Sequence, residues 1–233
     1  MKENRVLPDI EACKEKFKTI FKNISPEVLN LLNCSENIHF FKKNAVIYSE
    51  GARMKGCYFV YEGIVKIYQT GNEGKEQIIK FEKEGNIFGF RSVILKEAAC
   101  TSVETLTDAV LCFIPGNTLL QLLKENSDFA YELMQIACKE LGESNRNIKN
   151  IAQKSVKKRL AEILITLAND FGIEPDGQLK LNISREDLGN FAGTATETII
   201  RLLSEYKTEG LVEAKGRKIK LLDIEKLKRN AGD

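Results

Sequence analysis

The sequence predicts an α+β chain in three parts: an N-terminal antiparallel β-roll of jelly-roll type, a long helix, and a C-terminal winged helix-turn-helix. Three observations predict it. Short apolar and β-branched runs punctuated by glycine fill residues 39–115, the mark of an antiparallel sandwich or barrel. A proline-free stretch from Ser127 to about Ala152 keeps a heptad spacing of apolar residues, the seam of a coiled coil. Beyond residue 154, two short helical patterns separated by a glycine precede a basic hairpin, the order of a helix-turn-helix followed by a wing.

Residues 1–36 read as a helical lead-in, in which SPEVLNLLN offers Ser25 as N-cap, Pro26 at the first helical position and Glu27 in the first turn. The predicted strands are AVIYS, CYFVYE, IVKIY, QIIKF, NIFGF, TSVETL and AVLCFI, with Gly51, Gly56, Gly63, Gly71, Gly74, Gly85 and Gly89 between or beside them. Gly-Asn-Glu-Gly at 71–74 suits a hairpin turn between IVKIY and QIIKF. After Pro115 the strands stop, and NTLLQLLKEN forms a short helix. In the long helix Met134, Ala137, Leu141, Ser144, Ile148 and Ile151 are spaced 3, 4, 3, 4 and 3. An amphipathic helix packed on its own domain would also show an apolar stripe. The narrow 3.5-residue period suits a two-stranded seam better than a broad core face, so this is predicted to be a dimerisation helix. Ser144 is polar at a seam position, where such residues serve register or a ligand. VKKRLAEILITLANDFG is a further amphipathic helix ended by Gly172, EPDGQ a turn, LKLNI a short strand, and IEKLKRNAGD a short helix and tail. The expected domains are a lead-in and β-roll over 1–116, the short and long helices over 117–153, and the winged helix-turn-helix over 154–233.

Of 233 residues, 43% are hydrophobic and 29% charged, a soluble globular balance. No run of about 18 apolar residues exists, and MKENRVLPDIEACKEKF lacks an apolar signal core; a cytoplasmic location without a membrane partner is expected. The net charge is +2, and the excess lies after Gln153, where 15 basic residues face 13 acidic ones. Cys13, Cys34, Cys57, Cys100, Cys112 and Cys138 form no CxxC pair, so zinc-finger spacing is absent and reduced, mostly buried thiols are expected. No metal site is assigned. His39 is the only histidine and reads as structural or surface. With no phosphate loop, H-E-x-x-H or nucleophile elbow, no enzyme activity and no catalytic residue are expected.

The strongest signal is SREDLGNFAGTATETIIRLLSEYKTEGLVEAKGRKIKL, residues 184–221. Ser184 caps one helix with Asp187 three residues on, and Gly193 makes the turn. Thr194 and Glu197 read as the capping box of the next helix. Ile199, Leu202, Leu203 and Tyr206 form its buried face, which turns Thr196, Glu197, Ile200 and Arg201 outward. Arg201 can donate two hydrogen bonds to guanine O6 and N7, Glu197 can accept from a cytosine amino group, and Ile200 can touch a thymine methyl. Lys215, Arg217, Lys218 and Lys220 crowd the hairpin that would meet phosphates, while Ser184, Arg185 and Thr194 at the helix starts can add backbone contacts. A Glu197–Arg201 salt bridge at i,i+4 is the ordinary alternative for that pair.

These residues resemble the CRP/FNR superfamily of bacterial transcription regulators over residues 25–225. EGARMKGCYFVYEGIVKIY, GKEQIIKFEKEGNIFGF and VETLTDAVLCFIP look like its cyclic-nucleotide-binding β-roll, and AGTATETIIRLL like its recognition helix. The resemblance implies a homodimer on double-stranded DNA, reading a pseudo-palindrome with a GA/TC core through Glu197 and Arg201. RNA polymerase and an unidentified small-molecule effector are the further partners it implies. Ile200 and Thr196 stand where other members carry Ser and Arg. The effector pocket would comprise Gly89, Phe90, Arg91, Ser92, Ala99, Cys100 and Thr101, with Ser144 and Asn145 from the dimer helix.

That pocket departs from the cyclic-AMP pattern. Phe90 replaces the Glu that follows the glycine, and Ala99-Cys100 replaces the Arg-Ser pair, which argues against cyclic AMP because its phosphate needs charged partners; Arg91 is the nearby substitute. Cys13 and Cys34 are too sparse for the family's N-terminal iron–sulfur cluster. Haem, with His39 or a cysteine as axial ligand, has no positive signal. Two rival functions stand beside the regulator: a redox or haem sensor of the same family, and a nucleotide-binding signalling module whose C-terminal domain meets protein rather than DNA.

Overall fold

The computed structural model describes residue 8 and residues 10–20, 37–71 and 73–232. The Ser25–Glu27 helix start and Cys34 lie outside the described residues. The chain divides into two compact units: the described residues up to 74 together with 79–141, and residues 75–78 with 142–232.

The first unit begins with α1 (Ile10–Ile20) and continues through β1 (Ile38–Phe41), β2 (Val46–Tyr48), β3 (Gly56–Glu62), β4 (Ile64–Thr70), β5 (Glu76–Lys83) and β6 (Ile87–Phe88). Then come α2 (Phe90–Leu95), β7 (Ser102–Thr105), β8 (Ala109–Pro115) and α3 (Gly116–Glu125). The strands form two four-stranded sheets, in the orders β1-β8-β3-β6 and β2-β7-β4-β5. The pairs β1–β8, β3–β8, β3–β6, β2–β7 and β4–β7 are antiparallel.

Strands β3 and β8 are nearly unbroken apolar runs because their sheet is covered on both faces. Val60, Ala109 and Leu111 pack with Val65, Ile67 and Val103 of the other sheet. Cys57, Phe59, Cys112 and Ile114 pack with Cys13 and Phe17 of α1 and Leu119 and Leu122 of α3. Each fully buried side chain of this size contributes about 1.5–3 kcal/mol, so the doubly covered sheet is the main apolar store of this unit. Gly63, between β3 and β4, has φ +97°, and a Cβ there would lie 2.5 Å from the Asp108 carbonyl oxygen. The predicted 71–74 turn is closed by the Gly74 N–H donating to the Gly71 carbonyl at 2.9 Å.

The long helix α4 (Ser127–Gln153) starts on this unit, where Phe129 and Leu133 are buried. Lys80 Nζ of β5 binds Glu140 of α4 at 2.6 Å and Glu82 at 2.5 Å.

In the second unit α5 (Val156–Phe171) leads to α6 (Arg185–Ala192), α7 (Thr196–Thr208), the antiparallel hairpin β9 (Val212–Lys215) and β10 (Lys218–Leu221), and α8 (Ile224–Ala231). Leu160, Leu164, Leu167, Leu188, Ile199, Leu203, Tyr206 and Leu227 are fully or nearly fully buried. The amphipathic stripes of α5 and α7, read at helical spacing, are therefore this unit's core. The predicted LKLNI strand is corrected: residues 179–183 join no named strand. Leu179, Leu181 and Ile183 alternate inward as a strand would. Their backbone finds only isolated partners, such as Leu179 N–H to the Ile219 carbonyl at 2.8 Å. Alternation reports a buried face and says nothing of a neighbouring strand.

Candidate nucleic-acid interface

The turn between α6 and α7 is built from two helix ends. Ser184 caps α6: its Oγ accepts the Asp187 N–H at 2.9 Å and donates to the Asp187 carboxylate at 2.5 Å. Its hydroxyl is thus committed to the cap. Ser184→Ala is expected to cost about 0.5–2 kcal/mol; thermal melting should show the loss, while the salt dependence of DNA binding stays unchanged. Gly193 ends α6 in the left-handed region, at φ +65°, a conformation glycine adopts without a Cβ penalty.

The capping box predicted at Thr194 is corrected. Helix α7 starts at Thr196, and its N-cap is Ala195, whose side chain cannot cap. Glu197 therefore sits at the second helical position rather than the third. The Ala195 carbonyl receives the Thr198 and Ile199 N–H groups at 3.1 and 3.3 Å. The Thr194 N–H donates to the Gly189 carbonyl at 3.0 Å, so Thr194 belongs to the turn that closes α6.

Ile199, Leu202, Leu203 and Tyr206 point into the unit as predicted. The Tyr206 hydroxyl donates to the Lys157 carbonyl at 2.7 Å, which fixes α7 on α5. The opposite face is open: Glu197 is exposed, Thr196 is half-buried, Ile200 is 53% exposed and the Arg201 side chain 64%. Arg201 pairs with Glu205 at 2.5 Å, not with Glu197. Glu205 is also approached by Lys157 Nζ at 3.5 Å, and the hydrogen bond from Lys157 to Glu209 holds that lysine above its ordinary pKa. An exposed pair of this kind is worth about 0–1 kcal/mol. A bidentate arginine–guanine contact is worth about 1–3 kcal/mol, so the Glu205 pairing does not bar Arg201 from a base.

At the hairpin, Lys215 and Lys218 stand directly opposite each other across the pair, with Gly216 and Arg217 between them. Like charges at facing positions cost stability, and all three basic side chains are exposed. Such an arrangement is suited to an anionic partner. Arg185 differs from these: it is half-buried, burial lowers its pKa, and its Nη1 has no hydrogen-bond partner among the described residues.

In the β-roll, the predicted pocket residues do come together around α2. Gly89 precedes α2 at φ +81°, and Phe90 and Ser92 are buried in its first turn. Arg91 Nη1 donates to Cys100 Sγ at 2.6 Å, and its Nη2 lies 3.6 Å from Glu97. Ser92 Oγ donates to the Ala98 carbonyl at 3.4 Å, and Ala99 is buried. Sequence reasoning missed the aromatic side of this place. Tyr58 stacks on Phe88 at 5.5 Å and Tyr48 on Tyr58 at 6.3 Å. Tyr48 is hydrogen-bonded to Thr101, and burial holds its hydroxyl far above the usual tyrosine pKa. A Cβ at Gly89 would lie 3.1 Å from Met54 Cε and 3.5 Å from the Tyr48 hydroxyl. Arg91 is the one cationic side chain among the pocket residues predicted in the roll, and its exposed pair with Glu97 is, like that of Arg201 with Glu205, worth about 0–1 kcal/mol; the departure from the cyclic-AMP pattern therefore lies in Phe90 and Ala99-Cys100 rather than in that pairing. The tyrosines of AVIYS and CYFVY were the available signal. His39 is exposed on β1, edge-on to Phe41 at 6.3 Å. Among the described residues, no group of three or more His, Cys, Asp or Glu side chains converges to hold a metal ion.

The six seam residues of α4 are all exposed: Met134 at 54%, Leu141 at 63%, Ile148 at 68% and Ile151 at 52%, with Ala137 and Ser144 between them. Asn145 is exposed beside Ser144. The alternative reading, a stripe packed on its own domain, is not what the structure shows, since only Phe129 and Leu133 of this helix are buried.

Comparison with known proteins agrees with this geometry. Residues 38–126 match the cyclic nucleotide-binding domain and residues 158–230 the Crp-like helix-turn-helix domain. Electron transport regulator A of Shewanella oneidensis is 29% identical over 194 residues, which span 82% of this chain and 77% of that protein. The fumarate and nitrate reduction regulatory protein of Escherichia coli K12 is 27% identical over 209 residues, 88% of this chain and 83% of that one. A solved transcriptional regulator of the CRP/FNR family from Thermus thermophilus has a TM-score of 0.71 at 28% identity, covering 84% of this chain and 98% of that chain. FixK2 from Bradyrhizobium japonicum shares the fold, with a TM-score of 0.74 at 24% identity over 82% of this chain and 95% of that chain. A sensor-type β-roll joined to a helix-turn-helix defines a DNA-binding transcription regulator. The chain belongs to the CRP/FNR family, whose members matched here are regulators and not enzymes. No helix among the described residues is long and apolar enough to cross a membrane.

Proposed function

We propose that this regulator works as a homodimer on a pseudo-palindromic DNA site with a GA/TC core, under the control of a small-molecule effector in the β-roll. The exposed Glu197–Ile200–Arg201 face of α7, set beside a lysine-faced hairpin tip, carries the reading. Arg201 reads a guanine, Glu197 accepts from the paired or neighbouring cytosine, and Ile200 meets a thymine methyl. Thr196 stands at the groove entrance. Lys215, Arg217 and Lys218 hold phosphates, with Arg185 and the backbone N–H of Ser184 at the start of α6 and Thr194 in the turn before α7. Residues 1–116 sense, 117–153 pair the protomers, and 154–233 read DNA. Two such units on the α4 seam address half-sites about one helical turn apart. RNA polymerase is the partner through which a bound dimer would alter transcription.

Selection of sites from a random DNA pool tests this, and a GA/TC pseudo-palindrome is the expected winner. On that site, Arg201→Ala should lose about 1–3 kcal/mol of discrimination at one guanine. Lys218→Ala should weaken all sequences alike and reduce the salt slope by about 0.9. Equal effects of both substitutions on matched and scrambled sites would refute the assigned roles.

A further inference from the structure

Cys13 and Cys112 are 99 residues apart in the chain, yet the Cys112 thiol donates to Cys13 Sγ at 3.1 Å. Cys13 lies on α1 and Cys112 on β8, on the sheet face that α1 covers. Both are nearly fully buried, at 2% and 3% exposure, in a cluster with Phe17, Phe59, Phe129 and Leu133. Cys57 belongs to the same cluster, and burial pushes its thiol far up; the sulfur contact is between Cys13 and Cys112. The two sulfurs in contact thus form a dithiol on facing elements.

We propose that Cys13 and Cys112 are an intramolecular oxidation site, closed to a disulfide by a hydroperoxide. The Cys13 sulfur attacks the terminal peroxide oxygen. The O–O bond breaks, an alcohol (water, for hydrogen peroxide) leaves, and Cys13 becomes a sulfenic acid. The Cys112 sulfur then attacks the Cys13 sulfur, the S–O bond breaks, water leaves with the Cys112 proton, and the S–S bond forms. Two thiols lose two electrons and two protons, and one peroxide is reduced.

Entry of the oxidant follows from the stability of α1. It has 11 residues, a length at which an isolated helix is marginal in water. Cys13 and Phe17 pack on the sheet, Lys16 Nζ donates to the Tyr61 carbonyl at 2.6 Å and pairs with Glu84 at 2.8 Å, and other residues of α1 make contacts of their own. Opening of such a peripheral helix costs less than global unfolding and exposes Cys13; reclosing returns it to Cys112. The bridge then pins α1 across a long chain separation. Phe17 of α1 stacks on Phe129 at 6.2 Å, so the pinned helix also braces the root of α4.

The chemistry does not depend on DNA reading, and its test does not use DNA. Reduced full-length protein is treated with one equivalent of hydrogen peroxide, capped with N-ethylmaleimide in denaturant and digested without reductant. Mass spectrometry should find a peptide pair linked through Cys13 and Cys112, about 2 Da lighter than the two thiol peptides together. Dithiothreitol should release it, and the oxidised protein should melt at a higher temperature than the reduced one. Cys13→Ser should abolish the linked pair and leave Cys112 fully capped. The proposal is overturned if Cys13 and Cys112 take the cap after peroxide as fully as before. It is equally overturned if Cys112 is found linked to Cys57, or if only Cys100 and Cys138 are consumed.

Discussion

A chain carrying both Leu141→Glu and Ile148→Glu is expected to be monomeric at micromolar concentration and to bind the selected DNA site at least about 100-fold more weakly. Both side chains stand open on α4, at 63% and 68% exposure, and a parallel partner helix would bury four of them per dimer. Burying one such side chain contributes about 1.5–3 kcal/mol. Replacing them with facing carboxylates removes that gain and adds like-charge repulsion at the seam. A monomer holds one half-site instead of two, and each 1.4 kcal/mol lost is about tenfold in affinity. Neither residue contributes to a core of its own protomer, so circular dichroism and the melting of the winged unit should stay near wild type. Sedimentation equilibrium reads the result: a double variant that remains dimeric would rule out the α4 seam.

The second large effect is expected at Gly63. Its φ of +97° is unfavourable for any residue with a side chain, and a Cβ would lie 2.5 Å from the Asp108 carbonyl oxygen and 2.7 Å from Ala109 Cα. Both obstacles are backbone, so neither can turn aside. The left-handed conformation alone costs about 1–2 kcal/mol, and the clash must move the turn before β8. Gly63→Ala should therefore lose about 3 kcal/mol or more, a fall in Tm of roughly 6–12 °C for a chain of this size. Gly74→Ala is the control. Its φ is +76°, but nothing lies within 4 Å of the added Cβ, so only the conformational part should be lost. Equal falls in Tm for the two variants would mean that the Asp108–Ala109 backbone yields without cost.

Periodicity carried most of the fold. The α4 heptad was legible as a narrow apolar stripe at a 3.5-residue period, and its six residues stand exposed in this chain. The runs CYFVYE and AVLCFI were legible as strands, but only the structure shows that both faces of their sheet are covered. Leu179, Leu181 and Ile183 alternate as a strand does and are not one, since a period of two records burial rather than pairing. Local rules did not choose between neighbours. Glu197 and Glu205 each stand four residues from Arg201, and although the order with Glu first is favoured, the pair formed is with Glu205. The cap expected at Thr194 falls at Ala195, one residue later. The meeting of Cys13 with Cys112 had no signal at all, since nothing in their wide separation along the chain tells which helix face covers which strand.

The junction after α4 is short: only Lys154 and Ser155 separate it from α5. Arg159 closes this joint. Its Nη1 donates to the Lys154 carbonyl at 2.8 Å, and its Nε to the Ala192 carbonyl at 2.9 Å, at the end of α6. Across the same joint Glu162 accepts from Asn150 and from Lys154, each at 2.9 Å. One guanidinium thus grips both the junction that follows the long helix and the end of α6, just before the turn to α7. With the joint tied in this way, a twist of the C-terminal end of α4 is expected to turn the helix-turn-helix like a crank, and Arg159→Ala would put slack in that crank.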